Sequence, residues 1–216
     1  MDKRTEDLAT DELRRRLASF DVLIEATRNL AAEIDLETIL SLIAEESRQA
    51  VDCERASVFL FDAAAGELFT RVVTELEISE IRHGVEQGVT GFAARARQTV
   101  NVPVPSEDPR WNRSVDLATG YHTNNILAVP IVSPQGETLL GVLELINKRD
   151  RAFDEFDEQL AQAFSQHAAV ALHRARLVEE LRKQQAVEVS LNVAREIQRG
   201  FMPNALPETP GYEVAT

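Results

Sequence analysis

Between Asp154 and Gly200 the chain contains no proline and no other glycine, so one helix of about 45 residues, on the order of 70 Å long, can form there. A single globular domain cannot cover a helix of that length. The stretch begins as core packing, with Leu160, Ala163, Phe164, Val170 and Ala171 available for burial. It continues through Leu177, Leu181, Val187, Leu191 and Ala194 at irregular three-four spacing, and Arg182, Gln184 and Gln185 interrupt the apolar seam. A strict leucine zipper does not tolerate that pattern, which predicts a parallel dimeric connector of modest stability. Pro203, Pro207 and Pro210 end it.

A globular body must therefore come before the connector. From Glu6 to Glu33, apolar positions Leu13, Leu17, Phe20, Leu23, Ile24 and Leu30 recur every three or four residues, the period of an amphipathic helix. Asp35 is a predicted N-cap for a second helix, Leu36 to about Val51, with Ile39, Leu40, Leu42, Ile43 and Ala50 to bury. Beyond it the pattern changes to short β-branched or aromatic runs: Ala56–Phe61 and Glu67–Val73, joined by Asp62–Gly66 as a hairpin. Ile81–Val85 is a weaker strand, Gly88–Arg97 a short helix opened by Gly-Val-Thr-Gly, and Thr99–Val102 a further strand before Pro103, Pro105 and Pro109 enforce a loop. Asn125–Val132 and Thr138–Ile146 form a second, central hairpin around Ser133-Pro134-Gln135-Gly136-Glu137. The predicted organisation is a helix over 1–34, a sensor domain over 35–178, a coiled-coil connector over 179–201 and the start of another domain over 202–216.

The net charge of −13 disfavours binding to phosphodiester backbones or anionic lipid, which needs clustered Lys and Arg. No run of about 18 apolar residues and no basic-then-apolar leader is present, and a single cysteine, Cys53, cannot form an intrachain disulfide; cytoplasm is the expected compartment. His83, His122, His167 and His173 stand in no metal-ligand spacing, and no Gly-x-Ser-x-Gly elbow occurs, so neither a metal nor a hydrolytic triad is expected and the chain is not read as an enzyme.

Three groups of residues carry chemistry. Glu144, within Leu139-Leu140-Gly141-Val142-Leu143-Glu144-Leu145-Ile146, shares a strand face with Val142 and Ile146. A buried carboxylate must find partners or shift its proton affinity, and either a structural ion pair or a ligand meets that need. Asp116, Thr119 and Thr123 stand at i, i+3 and i+7, where they either converge on a ligand or cap a helix. Gly88-Val89-Thr90-Gly91 opens a helix whose free N–H groups can hold an anionic phosphate.

In this order, the segments from Leu36 to Val178 resemble a GAF domain of the type that binds cyclic AMP or cyclic GMP in phosphodiesterases and some cyclases. The most specific part is Asn147-Lys148, then Phe153, then Asp157-Glu158; Trp111-Asn112, Asp116, Thr119-Gly120-Tyr121, Thr123 and Asn125-Ile126-Leu127 match another well-known stretch of the family. The resemblance implies an α+β fold, a central antiparallel sheet with helices packed on one face and flanking signalling helices. It further implies ligand contacts at Ser57, Val73, Thr74, Val89, Thr90, Asp116, Thr119, Thr123 and Glu144, with Asn147, Lys148, Phe153, Asp157 and Glu158 as architecture. Lys148 and Asp157 are expected to pair. Asp116 is expected on the base side, since two negative groups in a low-dielectric pocket repel. Val102-Pro103-Val104 departs from the family's Ile-Pro-Asp, and Thr74 replaces a position that is often charged.

The tail Ala194-Arg195-Glu196-Ile197-Gln198, Met202-Pro203 and Pro210-Gly211-Tyr212-Glu213 resembles the lead-in to bacterial PPM-type serine phosphatases of the SpoIIE kind. Such phosphatases hold two divalent metals, Mg or Mn, with aspartates that would follow Thr216. The function expected of the chain is thus a homodimeric cyclic-nucleotide sensor signalling through its helices to a phosphatase domain. The alternatives are a ligand-free GAF spacer and a GAF sensor of another small molecule.

Overall fold

Asp35 decides where the second helix begins. In the computed structural model, which describes residues 3–70, 81–113, 116 and 120–201, its Oδ2 accepts hydrogen bonds from the Thr38 backbone N and from Thr38 Oγ1, both at 2.9 Å. The helix it caps, α2 (Leu36–Val51), follows α1 (Lys3–Ala32), and it ends at Asp52, whose φ of 54° turns the chain sharply into the first strand. Helix bounds and cap fall where the sequence predicts them, because capping is local chemistry.

The strands are β1 (Cys53–Asp62), β2 (Glu67–Thr70), β3 (Ile81–Gly84), β4 (Val100–Val102), β5 (Ile126–Val132) and β6 (Leu139–Lys148), with α3 (Gly88–Ala96) between β3 and β4. The β1–β2 turn is built by Asp62, whose Oδ1 accepts from the N–H groups of Ala64 and Ala65 at 3.1 Å each. They form one six-stranded sheet in the order β3-β2-β1-β6-β5-β4, every neighbouring pair antiparallel. The predicted hairpin β5–β6 supplies one of the two middle strands, and β1 is the other, lying against β6 with Ser57 opposite Glu144. At the β1–β6 seam a side chain at Gly141 is impossible, since a Cβ there would lie 2.1 Å from the Phe59 carbonyl oxygen.

Alternation divides the sheet into two apolar faces. Ala56 and Val58 of β1, Leu127, Val129 and Ile131 of β5 and Leu143 and Leu145 of β6 pack against the helices, meeting Ile39, Leu40 and Ile43 of α2 and Ala26 and Leu30 of α1. The last helix, α4 (Glu155–Phe201), adds Leu160, Phe164, Ala168 and Leu172 to that core. The fold is therefore α+β with helices covering one sheet face. Arg174 of α4 reaches the C-terminus of α1, donating to the carbonyls of Ala31 at 2.5 Å and Leu30 at 2.7 Å and to that of Glu33. The last turn of α1 holds no basic residue of its own, so this guanidinium supplies the positive charge that a helix C-terminus favours.

The opposite face carries Phe59, Ile126, Ala128 and Val142, covered in part by Val89, Ala93 and Ala94 of α3. Gly91 lets α3 lie directly on the turn after β3, because a Cβ there would fall 2.5 Å from the Val85 carbonyl oxygen. The chain divides into two units, residues 1–175 and 176–216. Within the second, the described part is the helical run to Phe201, with Leu181, Val187, Leu191 and Ile197 all more than half exposed. No helix among the described residues is long and apolar enough to cross a membrane. Residues 202–216, expected from sequence to begin a phosphatase domain, lie outside the described residues.

Candidate functional site

The face not covered by α1, α2 and α4 holds a cavity of about 230 Å³. Its floor is Phe59 of β1, Ile126 of β5 and Glu144 and Ile146 of β6. One wall is β3, through Ile81, Arg82 and His83; another is the start of α3, from Gln87 to Thr90; Trp111, Asn112, Asp116 and Thr123 close the ring. Apolar lining with a few converging polar groups is the usual construction of a small-molecule site.

The α3 wall of the cavity presents hydrogen-bond donors. Gln87, the N-cap of α3, makes no side-chain capping bond, so the first backbone N–H groups of this helix are left to other acceptors, and the helix dipole favours an anion there. Thr90 is held beside them by His83, with 3.2 Å between Thr90 Oγ1 and His83 Nε2. The other ring nitrogen, Nδ1, stands 3.1 Å from the Gly84 carbonyl and must donate to it. The neutral imidazole is therefore left with Nε2 as acceptor for the Thr90 hydroxyl. The ring is also packed edge-on against Phe59, centroids 5.4 Å apart.

Two carboxylates also line the cavity. Both oxygens of Asp116 are engaged by Thr123, whose backbone N donates to Oδ2 at 2.8 Å and whose hydroxyl donates to Oδ1 at 2.7 Å. Glu144 is partly accessible where it faces the cavity and is otherwise enclosed by protein. Burial, and secondarily the negative charge of Asp116, pushes its carboxyl up to about 7. No ion pair or side-chain hydrogen bond to Glu144 is formed by the described residues, so the structural ion pair that the sequence left open is not made by them.

Of the residues expected at a ligand, Val89, Thr90, Asp116, Thr123 and Glu144 line this one cavity. Ser57 lies on the same sheet face as the register partner of Glu144, 5% exposed and outside the cavity lining. Val73, Thr74 and Thr119 lie outside the described residues. Phe59, Arg82, His83, Gln87 and Trp111 were not singled out from sequence as ligand-facing. For His83 a signal existed: a histidine five residues before a glycine-opened helix, across a tight turn, is carried to that helix's N-terminus.

Asn147, Lys148, Phe153, Asp157 and Glu158 form a brace away from the cavity. Asn147, at a φ of 58°, accepts the Asn124 N–H at 2.7 Å and donates from Nδ2 to the His122 carbonyl at 2.9 Å and to Glu54 Oε2 at 2.9 Å. It thereby ties the end of β6 to the segment that carries Thr123. The hydrogen bonds from Asn147 and Tyr121 hold the Glu54 carboxyl below its ordinary range. Lys148 Nζ donates to Asp157 Oδ1 at 3.0 Å and to the Val51 carbonyl, and both charged side chains are nearly inaccessible. Asp157 also caps α4 reciprocally with Asp154, each backbone N–H reaching the other's carboxylate at 3.0 Å. Asn101 of β4 donates to the Phe153 carbonyl at 3.0 Å and to Glu158 Oε1 at 2.8 Å. Cys53, 1% exposed, belongs to the helix-side core, and burial pushes its thiol up to about 12.

Comparison with known proteins agrees with this geometry. The family model for the GAF domain matches residues 35–172. A probable 3',5'-cyclic phosphodiesterase, pde-5, of Caenorhabditis elegans is 30% identical over 193 residues, which covers 83% of this chain and 26% of that protein. The cGMP-specific 3',5'-cyclic phosphodiesterase of Drosophila melanogaster is 29% identical over 209 residues, covering 86% of this chain and 18% of the relative. The chain thus spans about a quarter or less of the length of these curated relatives. Among solved structures, the GAF domain of a phosphoenolpyruvate-protein phosphotransferase from Coxiella burnetii superposes with a TM-score of 0.69 at 20% identity, over 76% of this chain and 98% of that one. A free methionine-R-sulfoxide reductase from Neisseria meningitidis, solved with its substrate, has a TM-score of 0.62 at 19% identity, over 76% and 93%. With a matching family model over most of its length and the sheet that the family requires, the chain belongs to the GAF domain family.

Proposed function

We propose that this chain is the sensor module of a signalling protein and that its cavity takes a cyclic nucleotide, cAMP or cGMP. The observation that carries this reading is the mixed polarity of the one cavity lining. Backbone N–H groups at the α3 N-terminus are suited to a singly charged cyclic phosphate, and Glu144 with the Asp116–Thr123 pair to ribose hydroxyls or base N–H donors. The similarity to cyclic-nucleotide phosphodiesterases supports the same assignment.

The module has no chemistry of its own to perform in this reading. A thiol route is disfavoured by Cys53, which lies in the core on the other side of the sheet with its thiol held protonated by burial. The proposed output is mechanical: ligand enclosure changes the balance between two arrangements of the flanking helices in a cytoplasmic homodimer, and the helix passing through 179–201 carries that bias to a serine/threonine phosphatase domain beginning near residue 202. Such a switch works to the extent that the ligand binds one arrangement more tightly than the other.

Calorimetric titration of the chain, refolded to remove carried-over nucleotide, with cAMP and cGMP separately tests the assignment. Saturable binding of one is expected, weakened about tenfold or more in Thr123→Val, which removes a hydroxyl worth on the order of 1.5 kcal/mol. Absence of binding for both nucleotides to a chain with its normal helix content would overturn it.

A further inference from the structure

Two neighbouring carboxylates line the cavity, and they are not equivalent. Asp116 has both oxygens occupied by Thr123. Glu144, on the central strand β6, faces the cavity without a donor from any described residue, with Asp116 as its negatively charged neighbour. A carboxylate in that position has two ways to lower its cost: it keeps a proton, or it takes a hydrogen bond from whatever enters the cavity.

We propose that Glu144 is the selecting residue of the cavity, that it accepts ligands presenting an O–H or N–H donor to the sheet, and that it does so ionised, so that ligand capture releases one proton to solvent. This rests on the nucleotide reading above for the identity of the probe. The step balances simply: the chain with protonated Glu144 plus ligand gives the complex with Glu144 ionised plus one proton. The ligand's O–H or N–H takes over the stabilising role of the lost proton, and a hydrogen bond to an ionised acceptor is about twice as strong as one between neutral groups.

The other groups lining the cavity fix the sign expected of each alternative. From β3 come Arg82, paired with Glu67 at 3.0 Å, and His83, held by Thr90 and Gly84. From the segment before β5 comes Asp116, while β1, β5 and α3 present Phe59, Ile126, Val89 and Thr90, none of them charged. Positive charge gained by any neighbouring group would tighten an anionic ligand as pH falls. Deprotonating Glu144 tightens a donor-bearing ligand as pH rises. The direction of the pH dependence therefore separates the two.

The test is calorimetry of cGMP and cAMP binding to the full chain from pH 6 to pH 8, in two buffers of different ionisation enthalpy so that released protons are counted. With the free carboxyl at about 7, affinity is expected to rise about tenfold from pH 6 to pH 8, with about three quarters of a proton released at pH 6.5 and about a tenth at pH 8. Glu144→Gln should abolish both the slope and the release. Asp116→Asn, which withdraws the neighbouring negative charge, should keep the release and move its midpoint to lower pH, and it serves where the glutamine variant does not fold. Binding that releases no proton, or that tightens toward low pH, overturns the role of Glu144 and leaves the nucleotide reading intact. No binding of either nucleotide at any pH overturns the nucleotide reading and this inference with it.

Discussion

A carboxyl that holds its proton more tightly in the folded chain than in the unfolded one stabilises the fold at low pH and weakens it as pH rises. Glu144 is in this position: its contribution is fully present below the ordinary glutamate value of 4.5 and is lost as pH climbs through about 7. Most other shifted carboxylates here work in the opposite sense. Glu54, held low by Asn147, and Asp108, held low by Arg110, contribute stability that disappears as pH falls. The comparison of interest is therefore between the parent chain and Glu144→Gln, in which the other groups cancel. Urea unfolding of the nucleotide-free chain should show the parent losing stability relative to the variant between pH 5 and pH 8, by on the order of 3 kcal/mol for a shift of this size. Parallel curves would mean that water or another group already meets the ionised carboxylate in the folded state.

Lys148 and Asp157 join two elements distant in topology, the end of the central strand β6 and the first turn of α4. The pair is nearly inaccessible, but Asp157 also meets Arg151, whose guanidinium lies 3.0 Å from Oδ2. Removing Asp157 therefore strands the Lys148 ammonium, at about 3 kcal/mol, removing Lys148 costs less because Arg151 still faces the carboxylate, and removing both costs less than the sum. Unfolding of Lys148→Met, Asp157→Asn and the double variant should give that non-additivity; strictly additive losses would mean the two residues act separately, Asp157 through Arg151 and its cap of α4. Asn147, Lys148, Phe153, Asp157 and Glu158 were picked out in the sequence through their resemblance to the family's signature, which lies within a short stretch. From the residues alone, α2 was legible through its Asp35 cap and the β5–β6 hairpin through its Pro-Gln-Gly turn. Legibility fails where position depends on long-range register. Nothing local places Phe59 and His83 in edge-on contact, since that requires β2 to bring β3 alongside β1. Likewise, Ser57 and Glu144 are recognisable separately, but their direct opposition comes from 86 residues of intervening chain returning to the middle of the sheet.

At the scale of the whole molecule the unsettled quantity is the surface that holds two copies together in the proposed homodimer. Helix α1 exposes Leu13, Leu17, Phe20 and Ile24 by 59%, 57%, 48% and 61%, and their spacing of four, three and four residues is that of a coiled-coil seam. Monomeric proteins rarely leave such a contiguous apolar stripe in water. The exposed apolar residues of the second unit, Leu181, Val187, Leu191 and Ile197, do not keep that repeat, and Gln184 and Glu188 fall where a seam position is needed. A regular seam buries its side chains together at every turn, while an irregular one buries some and strands others, so α1 should contribute more to association than residues 177–197. Sedimentation of the chain should accordingly give a dimer of the 24.1 kDa protomer at micromolar concentration. Leu17→Glu should shift it to monomer with its helix content retained, and Leu191→Glu should weaken association by a smaller factor. The reverse ranking would place the main dimer contact on the C-terminal helix. The signal of the proposed sensor would then pass through the interface itself.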